Sequence, residues 1–513
     1  MKHQPTPEQQ AVIDQARSPE SLMIQAYAGC AKTSTLEMFA PKVQVPSLAL
    51  AFNKRIAEEL RPRLPGTFEV KTLNGLGHGA WARALRGSVT NLTLDDRKLG
   101  KLVSEIGKRQ GAKLSAAQWD QARGLVQRAM GAGIVPGDEG EPLQEDREEN
   151  WREIGLDQGI GNDDFPLAYA VAREVLVESI AQARAGIISF DDQVYCPTLL
   201  GGSWGRFPLV AVDESQDLSP LNHRMLELVA SGRIIAVGDE RQAIYSFRGA
   251  DSESMRNLRR LRPSWTDLPL HMTFRCPKVV VDRQQEHAPG FTAAAGNADG
   301  RFLRAQEREE RAGGWGWDWL EAQAEGGKIA VLCRNNAPLL SLAFKLIRQG
   351  IGPVMPGREL GKGLSGLVRK LSPGDCQVGE LLGKLEEWLD RESGNLIASG
   401  REDRVEGLRD RAECVRAVAE GSEARTRDEL LAGLDRVFAA ERGRVTLASG
   451  HRSKGLEWDL VLHLDPWRIP SKQSKVRAER GDGRALEQEW NLRYVIETRT
   501  RNVLVNARLE DFR

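Results

Sequence analysis

The chain has 513 residues, and its 72 Lys and Arg balance its 72 Asp and Glu to a formal net charge of zero. At roughly 150 residues per domain this length predicts three or four domains, while the balanced charge means that any nucleic-acid binding needs a local groove rather than bulk basicity. The six cysteines show no paired CxxC spacing, which argues against a zinc or iron–sulfur site and fits a reducing compartment. With no secretion signal or membrane-spanning run in the sequence, we expect a cytoplasmic protein.

The first predicted strand leads into a candidate phosphate-binding loop. Residues 26–33 have the spacing of such a loop, between an apolar run at 22–24 and a predicted helix. A loop of this kind needs backbone N–H groups that converge on phosphates, a lysine for the outer phosphates and a hydroxyl for Mg²⁺, which would be Lys32 and Thr33 here. Ala26 and Ala31 occupy positions where the usual pattern has glycine, so an ordinary strand-to-helix turn is the alternative.

Two later apolar runs predict further buried strands, each followed by polar residues. Residues 209–212 lead directly into Asp213 and Glu214, and residues 234–237 lead towards Gln242. In a nucleotide site Asp213 would hold Mg²⁺ and Glu214 would polarise the attacking water. An acidic loop after a core strand is the alternative interpretation.

Four strings then carry a family resemblance. VDESQD (212–217), VGDERQAIYSFRGA (237–250), HRSKGLEWD (451–459) and LRYVIETRTR (492–501) resemble, in the expected order, the signature motifs of UvrD/Rep-type superfamily-one DNA helicases. Several are similar to the variants of F-box DNA helicases and phage-encoded relatives. The resemblance extends from Pro5 to about Arg508, without recognisable signatures in 82–185 and 365–440. It implies an ATP-dependent DNA helicase or translocase that moves 3′ to 5′.

The resemblance also implies the residues that handle ATP and Mg²⁺. Gln9 would pair with adenine, since an amide offers both a donor and an acceptor, and Phe274 would cover the base. Glu457 would lie near the ribose, and Arg499 would act as an arginine finger rather than as a cation at a helix end. The remaining implied contacts are the phosphate loop (Ala28, Gly29, Cys30, Ala31, Lys32, Thr33 and Ser34), the metal ligands Thr33 and Asp213, and the catalytic side chains Lys32, Asp213, Glu214, Gln242, Arg275 and Arg499. Because some phage relatives share the AKT ending, we expect Ala31 to have a harmless helical φ.

Contacts with single-stranded DNA are implied at a second set of positions. They are Phe52, Asn53, Thr72, Asn74, Tyr245, Phe247, Arg248 and His451. Aromatic rings stack on bases at about 1–3 kcal/mol each without regard to sequence, which suits a motor on arbitrary DNA. Asn74 departs from the family pattern, which has histidine there, and Phe52 has an alternative role as a core residue at a strand end.

The implied architecture is α/β, with two RecA-like parallel-sheet P-loop NTPase lobes that each carry a mainly helical insertion. We place the first lobe at 1–81 and 186–270 with its insertion at 82–185, and the second lobe at 271–364 and 441–513 with a short insertion at 365–440. Within the second insertion, one helix face is predicted to be core: Leu381, Leu382, Leu385, Trp388 and Leu389.

Three other stretches carry weaker predictions. The acidic stretch 138–149 is expected to be a solvated loop or tether, and residues 357–362 a turn near DNA. For Trp315, Trp317 and Trp319 we favour packing over a stacking platform.

Expected partners are single-stranded and partly duplex DNA, with no membrane and with a monomer or weak self-association; loading, replication or repair proteins stay unnamed. The expected location is the cytoplasm of a bacterial or phage-infected host cell, near the nucleoid. Two other functions stay open: a translocase that strips proteins from single strands without unwinding, and a nucleotide-dependent DNA-binding scaffold with little turnover.

Overall fold

The computed structural model describes residues 4–51, 53–137, 140–157, 160, 164–244, 253–305, 316–398, 402–440, 442–481 and 483–512. The chain forms two compact units. One contains Met1–Ala26 and Ala31–His271, and the other contains Tyr27–Cys30 and Met272–Arg513.

The first unit is built on a six-stranded parallel sheet. Its four central strands contain short apolar runs buried on both faces, which is the pattern expected when helices cover both sides of a parallel sheet. The sheet order is β3-β2-β6-β7-β1-β8. The strands are β1 (Ser21–Ala26), β2 (Ser47–Ala51), β3 (Phe68–Thr72), β6 (Phe207–Val212), β7 (Ala230–Gly238) and β8 (Trp265–Leu270), and a separate pair joins β4 (Thr93–Leu94) to β5 (Ile187–Ile188).

Helices surround this sheet and form most of its insertion. Around the sheet lie α1 (Pro7–Asp14), α2 (Lys32–Phe39), α3 (Lys54–Leu60), α4 (Leu73–Ala84), α10 (Pro220–Val229) and α11 (Ser254–Leu258); the insertion contains α5 (Lys98–Arg109), α6 (Ala116–Ala132), α7 (Glu148–Asp157), α8 (Phe165–Arg184) and α9 (Asp192–Leu199). Sheet residues such as Leu48 and Val210 share one hydrophobic cluster with Leu125 and Val175 of the insertion. The insertion is therefore packed onto the sheet through a continuous core.

The second unit repeats the plan with another six-stranded parallel sheet, in the order β11-β16-β15-β12-β14-β13. Its strands are β11 (Arg301–Arg304), β12 (Ile329–Cys333), β13 (Pro353–Val354), β14 (Val445–Ser449), β15 (Trp458–Leu464) and β16 (Thr500–Ala507), beside a small pair of β9 (Met272–Thr273) and β10 (Thr292–Ala293). The helices are α12 (Lys278–Arg283), α13 (Trp317–Ala324), α14 (Ala337–Arg348), α15 (Arg358–Leu371), α16 (Val378–Ala398), α17 (Glu402–Ser422), α18 (Arg427–Ala439), α19 (Lys472–Glu479) and α20 (Gly483–Glu497).

The predicted fold class is confirmed by these two parallel α/β sheets. The division into lobes and insertions at the stated boundaries stays a prediction. Among the described helices, none combines the length and apolar character that a membrane crossing requires.

Several local predictions can be compared with the structure. The core face of the second insertion is confirmed, because Leu381, Leu385 and Trp388 are buried in α16 while Leu382 and Leu389 pack against the same core. Packing is also confirmed for two tryptophans: Trp317 is buried in α13 and Trp319 packs against the same cluster. Trp315 lies outside the described residues.

One prediction was wrong: residues 357–362 do not form a turn, because Gly357 is followed at once by α15. The described part of the acidic stretch 138–149 is mainly an exposed loop, as predicted, until Glu148 begins α7. Within it the Asp146 side chain is largely buried and accepts hydrogen bonds from Arg173 and from the Trp151 indole at 2.8 Å. A partly buried guanidinium and an indole N–H hold this carboxylate in place.

Candidate nucleotide site

Polar side chains of the first unit gather at one edge of its sheet. Strands β6, β7 and β1 are neighbours and run parallel, so their carboxyl ends lie at the same edge. Asp213 follows β6, Asp239 follows β7, and Lys32 begins the helix after β1. Ligands of open parallel α/β sheets bind at this edge.

Lys32 is held among carboxylates there. Its Nζ lies 2.9 Å from Glu214 Oε1, and both side chains are mostly buried. Burial alone would lower the pKa of Lys32, but the negative charges of Glu214, Asp213 and Asp239 raise it above the usual value. The ammonium therefore stays charged, as a ligand for phosphate must.

The backbone of Glu214 adopts an unusual conformation. Its φ of 53° and ψ of 42° lie in the left-handed region, where a non-glycine residue costs on the order of 1–3 kcal/mol unless its surroundings fix it. Here the Glu214 amide donates to Asp213 Oδ1 at 2.9 Å, and Gln216 Nε2 donates to Glu214 Oε2 at 2.6 Å. The sharp turn after β6 thus directs the carboxylate of Glu214 to Lys32.

A chain of hydrogen bonds continues from Glu214 to Gln242. Gln216, which donates to Glu214, also accepts from the Asp239 amide at 3.0 Å, and Gln242 Nε2 donates to Asp239 Oδ2 at 2.7 Å. Burial raises the pKa of Asp239, although Lys32 and the Gln242 hydrogen bond oppose the shift. Lys32, Glu214 and Gln242 are therefore linked in one continuous network.

Sequence reasoning missed Gln216 and Asp239 as members of this network. Both lie inside the strings VDESQD and VGDERQAIYSFRGA that carried the resemblance. Their positions, four and two residues after the predicted strands 209–212 and 234–237, were the available signal.

Ala31 contradicts the expectation of a helical φ. Its φ of 55° and ψ of 43° are left-handed, immediately before α2. Glycine adopts this conformation without penalty, whereas the Cβ of Ala31 adds roughly 1 kcal/mol of strain. The chain thus makes the left-handed turn of a phosphate-binding loop with alanine in place of glycine. Thr33 and Ser34 follow in the first turn of α2.

Gln9 is buried beside this loop. Its Nε2 donates to Thr35 Oγ1 at 3.1 Å, and its Oε1 accepts from the Thr6 amide at 3.0 Å in a capping box that starts α1. Thr6 and Gln9 therefore cap the first helix. Contact of Gln9 with adenine stays a prediction.

The start of the phosphate loop packs within the second unit. The Ala28 amide donates to the Tyr494 hydroxyl at 2.8 Å, and the Phe274 amide donates to Gly29 O at 2.9 Å. Gly29 has a φ of +72°, and a Cβ there would lie 2.6 Å from Thr273 Oγ1 and 2.7 Å from Arg275 Cβ. Only glycine fits this position. Cys30, also in this segment, is buried.

Arg275 and Glu457 lie together in the second unit. Arg275 Nη1 is 3.7 Å from Glu457 Oε2, and Glu457 also pairs with Arg501. Burial alone would lower the pKa of Arg275, but Cys276, Glu457 and Tyr494 raise it. Phe274 is 47% exposed, so its ring is available to a ligand.

Arg499 does not point outward as an arginine finger in this structure. It is 1% exposed, and its Nε donates to Val495 O at 2.9 Å. Free carbonyls at a helix C-terminus attract a cation, so the structure shows the helix-end cation that the sequence analysis set aside. A phosphate contact by Arg499 stays a prediction.

Glu497, two residues earlier, was missed by sequence reasoning. This fully buried carboxylate accepts from Arg283 Nη2 at 3.0 Å, Gln284 Nε2 at 2.7 Å and Arg493 Nε at 3.0 Å. Burial alone would raise its pKa, but the hydrogen bonds and charges of Arg283 and Arg493 lower it. It connects α20 with the helix that follows Arg275. No local pattern shows such a partner, more than 200 residues away.

Predicted DNA contacts are only partly described. Phe52, Tyr245, Phe247 and Arg248 lie outside the described residues. Asn53 and Thr72 cap α3 and α4 through hydrogen bonds to the Ile56 and Gly75 amides at 2.9 and 3.0 Å, and His451 lies in a short 3₁₀ turn after β14.

The hydrogen bond of Asn74 identifies Phe190, a residue that the sequence motifs do not include. Its Nδ2 donates to Phe190 O at 3.0 Å, and the Phe190 ring is 58% exposed. Exposed aromatic rings are the groups on which unpaired bases stack.

Comparisons with known proteins agree with this geometry. Residues 197–262, which include Asp213, Glu214 and Gln242, match the family model described as the UvrD/REP helicase N-terminal domain. The chain is 23% identical to F-box DNA helicase protein 1 of Schizosaccharomyces pombe over 98% of this chain and 57% of that protein. It is 26% identical to F-box DNA helicase 1 of Gallus gallus over 98% of this chain and 48% of that protein.

A bacterial relative matches a smaller part. ATP-dependent DNA helicase UvrD2 of Mycobacterium tuberculosis is 27% identical over 58% of this chain and 46% of that protein. The chain thus spans about half the length of these relatives. The resemblance predicted from the motifs is confirmed.

Proposed function

We propose that this chain, a UvrD/Rep-type helicase by its sequence relationships, hydrolyses ATP at the carboxyl edge of its first sheet and moves 3′ to 5′ along single-stranded DNA, opening duplex as it goes. The observation that carries the proposal is the network from Lys32 through Glu214, Gln216 and Asp239 to Gln242. A buried lysine, a strained glutamate and a buried amide in one network have no comparable use in an ordinary strand-to-helix turn.

The ion pair between Lys32 and Glu214 gives the site a defined order of events. While the two are paired at 2.9 Å, Glu214 is held against an ammonium and is a poor base. Phosphate oxygens compete for Lys32, which frees Glu214 to accept a proton from water. In this proposal, Glu214 becomes active as a base only when Lys32 is occupied.

Thr33 and Asp213 would hold Mg²⁺. The described residues contain no group of three or more His, Cys, Asp or Glu arranged for a metal ion. One carboxylate and one hydroxyl suit Mg²⁺, which usually keeps several waters and binds substrate phosphates as well. When bound, the ion would neutralise charge on the outer phosphates.

Contact with DNA is proposed for the exposed ring of Phe190 beside Asn74, together with the positions named from the motifs. The roles of Phe274, Arg275, Glu457 and Arg499 remain predictions, each testable by substitution.

One observation favours a second function. The left-handed Ala31 strains the loop that would receive phosphate, which favours a nucleotide-dependent DNA-binding scaffold with little turnover. The third candidate is a translocase that displaces proteins from single strands. It would share ATP hydrolysis and movement with the helicase and differ only in that it does not unwind duplex DNA.

The experiment is steady-state ATP hydrolysis with and without single-stranded DNA. We expect strong stimulation by DNA, with turnover lowered at least about a hundredfold by Lys32→Ala and by Glu214→Gln, since a positioned base contributes about 10²–10⁴. Lys42→Ala, at an exposed lysine outside the site, is the matched control and should behave as the parent.

Further substrates separate the alternatives. Forked duplexes with a 3′ or a 5′ tail report unwinding and polarity, and a protein roadblock on single-stranded DNA reports displacement without unwinding. A folded parent protein that turns over ATP no faster than Glu214→Gln would overturn the motor and leave the scaffold.

A further inference from the structure

A strongly basic segment follows β15 in a chain of zero net charge. Residues 466–484 contain six Lys and Arg against two acidic residues, a local excess of four positive charges. None of the sequence motifs includes this segment. This composition alone is typical of a solvated helix. Whether the segment binds a ligand therefore depends on the contacts and exposure of its side chains.

The inner side of the segment is anchored to α20 through a buried glutamate. Glu489 Oε2 accepts from the Ser471 amide at 3.0 Å, and Glu489 Oε1 accepts from Ser474 Oγ at 3.3 Å. Ser471 Oγ in turn accepts from the Ser474 amide and caps α19. Arg334 completes the anchor with hydrogen bonds of 2.8 and 2.7 Å to the same carboxylate. The fixed inner side determines which residues of α19 face solvent.

Four exposed residues of this segment and of α20, namely Trp467, Lys472, Lys475 and Trp490, are called the basic face below. Both lysines are exposed, and neither has an ion-pair partner among the described residues. Trp467 is 56% exposed with the Arg468 guanidinium 4.8 Å from its ring, and Trp490 is 37% exposed with Arg493 at 5.9 Å. Two exposed lysines and an exposed indole thus occur within nine residues of the chain, at positions 467–475.

This combination fits one kind of ligand. Single-stranded nucleic acid presents a phosphate every nucleotide and unpaired bases whose faces stack on aromatic rings. Duplex DNA presents the phosphates but keeps its bases stacked on each other. Because the basic face offers both ammonium groups and exposed indoles, single-stranded nucleic acid can contact both kinds of group, whereas duplex DNA can contact only the ammonium groups.

We propose that the basic face binds single-stranded DNA, with Lys472 and Lys475 on phosphates and Trp467 stacked on a base. It is a DNA contact additional to those implied by the motifs, and it rests on the proposed function as a DNA motor. The face lies outside the nucleotide-binding network, so its loss changes grip on DNA while leaving ATP hydrolysis without DNA intact.

The test is the salt dependence of binding to a fluorescently labelled oligonucleotide, dT20, followed by fluorescence anisotropy. Each phosphate contact on a single strand contributes about 0.7 to the slope of log K against log salt. Lys472→Glu/Lys475→Glu should therefore lower the slope by about 1.4. Trp467→Ala should leave the slope unchanged and weaken binding roughly fivefold to a hundredfold, as loss of one stacked base predicts.

The matched control is Lys42→Glu/Lys108→Glu. It makes the same change in formal charge at two exposed lysines of the first unit that also have no ion-pair partner among the described residues. Its slope should stay within experimental error of the parent. ATP hydrolysis without DNA, measured for every variant, verifies that each is folded.

The outcomes separate the two proposals. A parent protein that hydrolyses ATP and binds dT20, with equal slopes for the two charge variants, would overturn the basic face as a DNA contact. An effect of Lys472→Glu/Lys475→Glu on a blunt duplex but not on dT20 would overturn the assignment to single strands. A parent that binds no DNA would instead refute the proposed function.

Discussion

Lys98→Met tests the buried ion pair that holds the first insertion. Lys98 and Asp192 have side chains only 1% and 0% exposed, and Lys98 Nζ lies 2.7 Å from both Asp192 Oδ2 and Ser179 O. The same carboxylate accepts from the Ser189 amide at 2.7 Å, which closes the turn that presents Phe190. The substitution keeps most of the volume and removes the charge together with the hydrogen bonds that the ammonium donates.

The expected loss is about 3–5 kcal/mol, because removing one partner of a buried pair leaves the other charge in a dry environment without its counter-ion. Lys101→Met is the matched control, one turn along α5. Lys101 is 60% exposed and pairs with Asp95 at 2.6 Å, so its loss should cost less than about 1 kcal/mol. The double variant Lys98→Met/Asp192→Asn should recover part of the loss, since the introduced amide is neutral and its oxygen can still accept from the Ser189 amide.

Urea unfolding followed by circular dichroism measures the difference. With a slope near 3 kcal/mol per molar urea, the transition of the first unit should shift by roughly 1–1.7 M for Lys98→Met. A shift no larger than that of Lys101→Met would refute the argument, since it would mean that the charge of Asp192 is easily hydrated once Lys98 is gone.

Two further predictions concern single residues. Ala31→Gly removes the strain of a left-handed alanine and should raise the free energy of unfolding by up to about 1 kcal/mol without lowering ATP turnover; a loss of stability in urea would contradict it. Burial lowers the pKa of His463 to about 4 from its usual 6.5, so the folded state stays neutral where the unfolded chain takes up a proton. The unfolded state then binds more protons between these values, and roughly 3 kcal/mol of stability should be lost as pH falls from about 6.5 to about 4. Urea midpoints at pH 7 and pH 4.5 should therefore differ less in His463→Leu than in the parent, and an equal difference in both would count against the buried neutral histidine.

Sequence patterns located the strands and the polar residues at their ends. Short β-branched apolar runs such as 209–212 and 234–237 have few alternatives to a buried parallel strand, and β6 and β7 include them. Because parallel strands end at a common edge, Lys32 and Asp213 could be assigned to one site from their positions after predicted strands, whereas the family resemblance was needed to add Gln242.

The sequence could not predict conformations that depend on distant partners. Alanine prefers helical dihedrals, so the left-handed Ala31 reflects a turn imposed from outside the residue. Two partners of Glu497, Arg283 and Gln284, lie more than 200 residues earlier, and those of Asp192 include Lys98 on another helix. Arg499 shows a related limit: a motif names the residue, but not that its Nε donates to Val495 O near the end of α20. Its role as an arginine finger stays a prediction.

The strand order has a consequence for how the chain is made. Strand β1 lies between β7 and β8, and Leu22 pairs with Ile235 and Thr266. At ribosomal rates of about 5–20 residues per second, β1 leaves the ribosome roughly 10–40 s before either neighbour exists. Its apolar residues must stay unpaired or be shielded by a chaperone during that time. A nascent chain shorter than about 270 residues therefore cannot complete the first sheet.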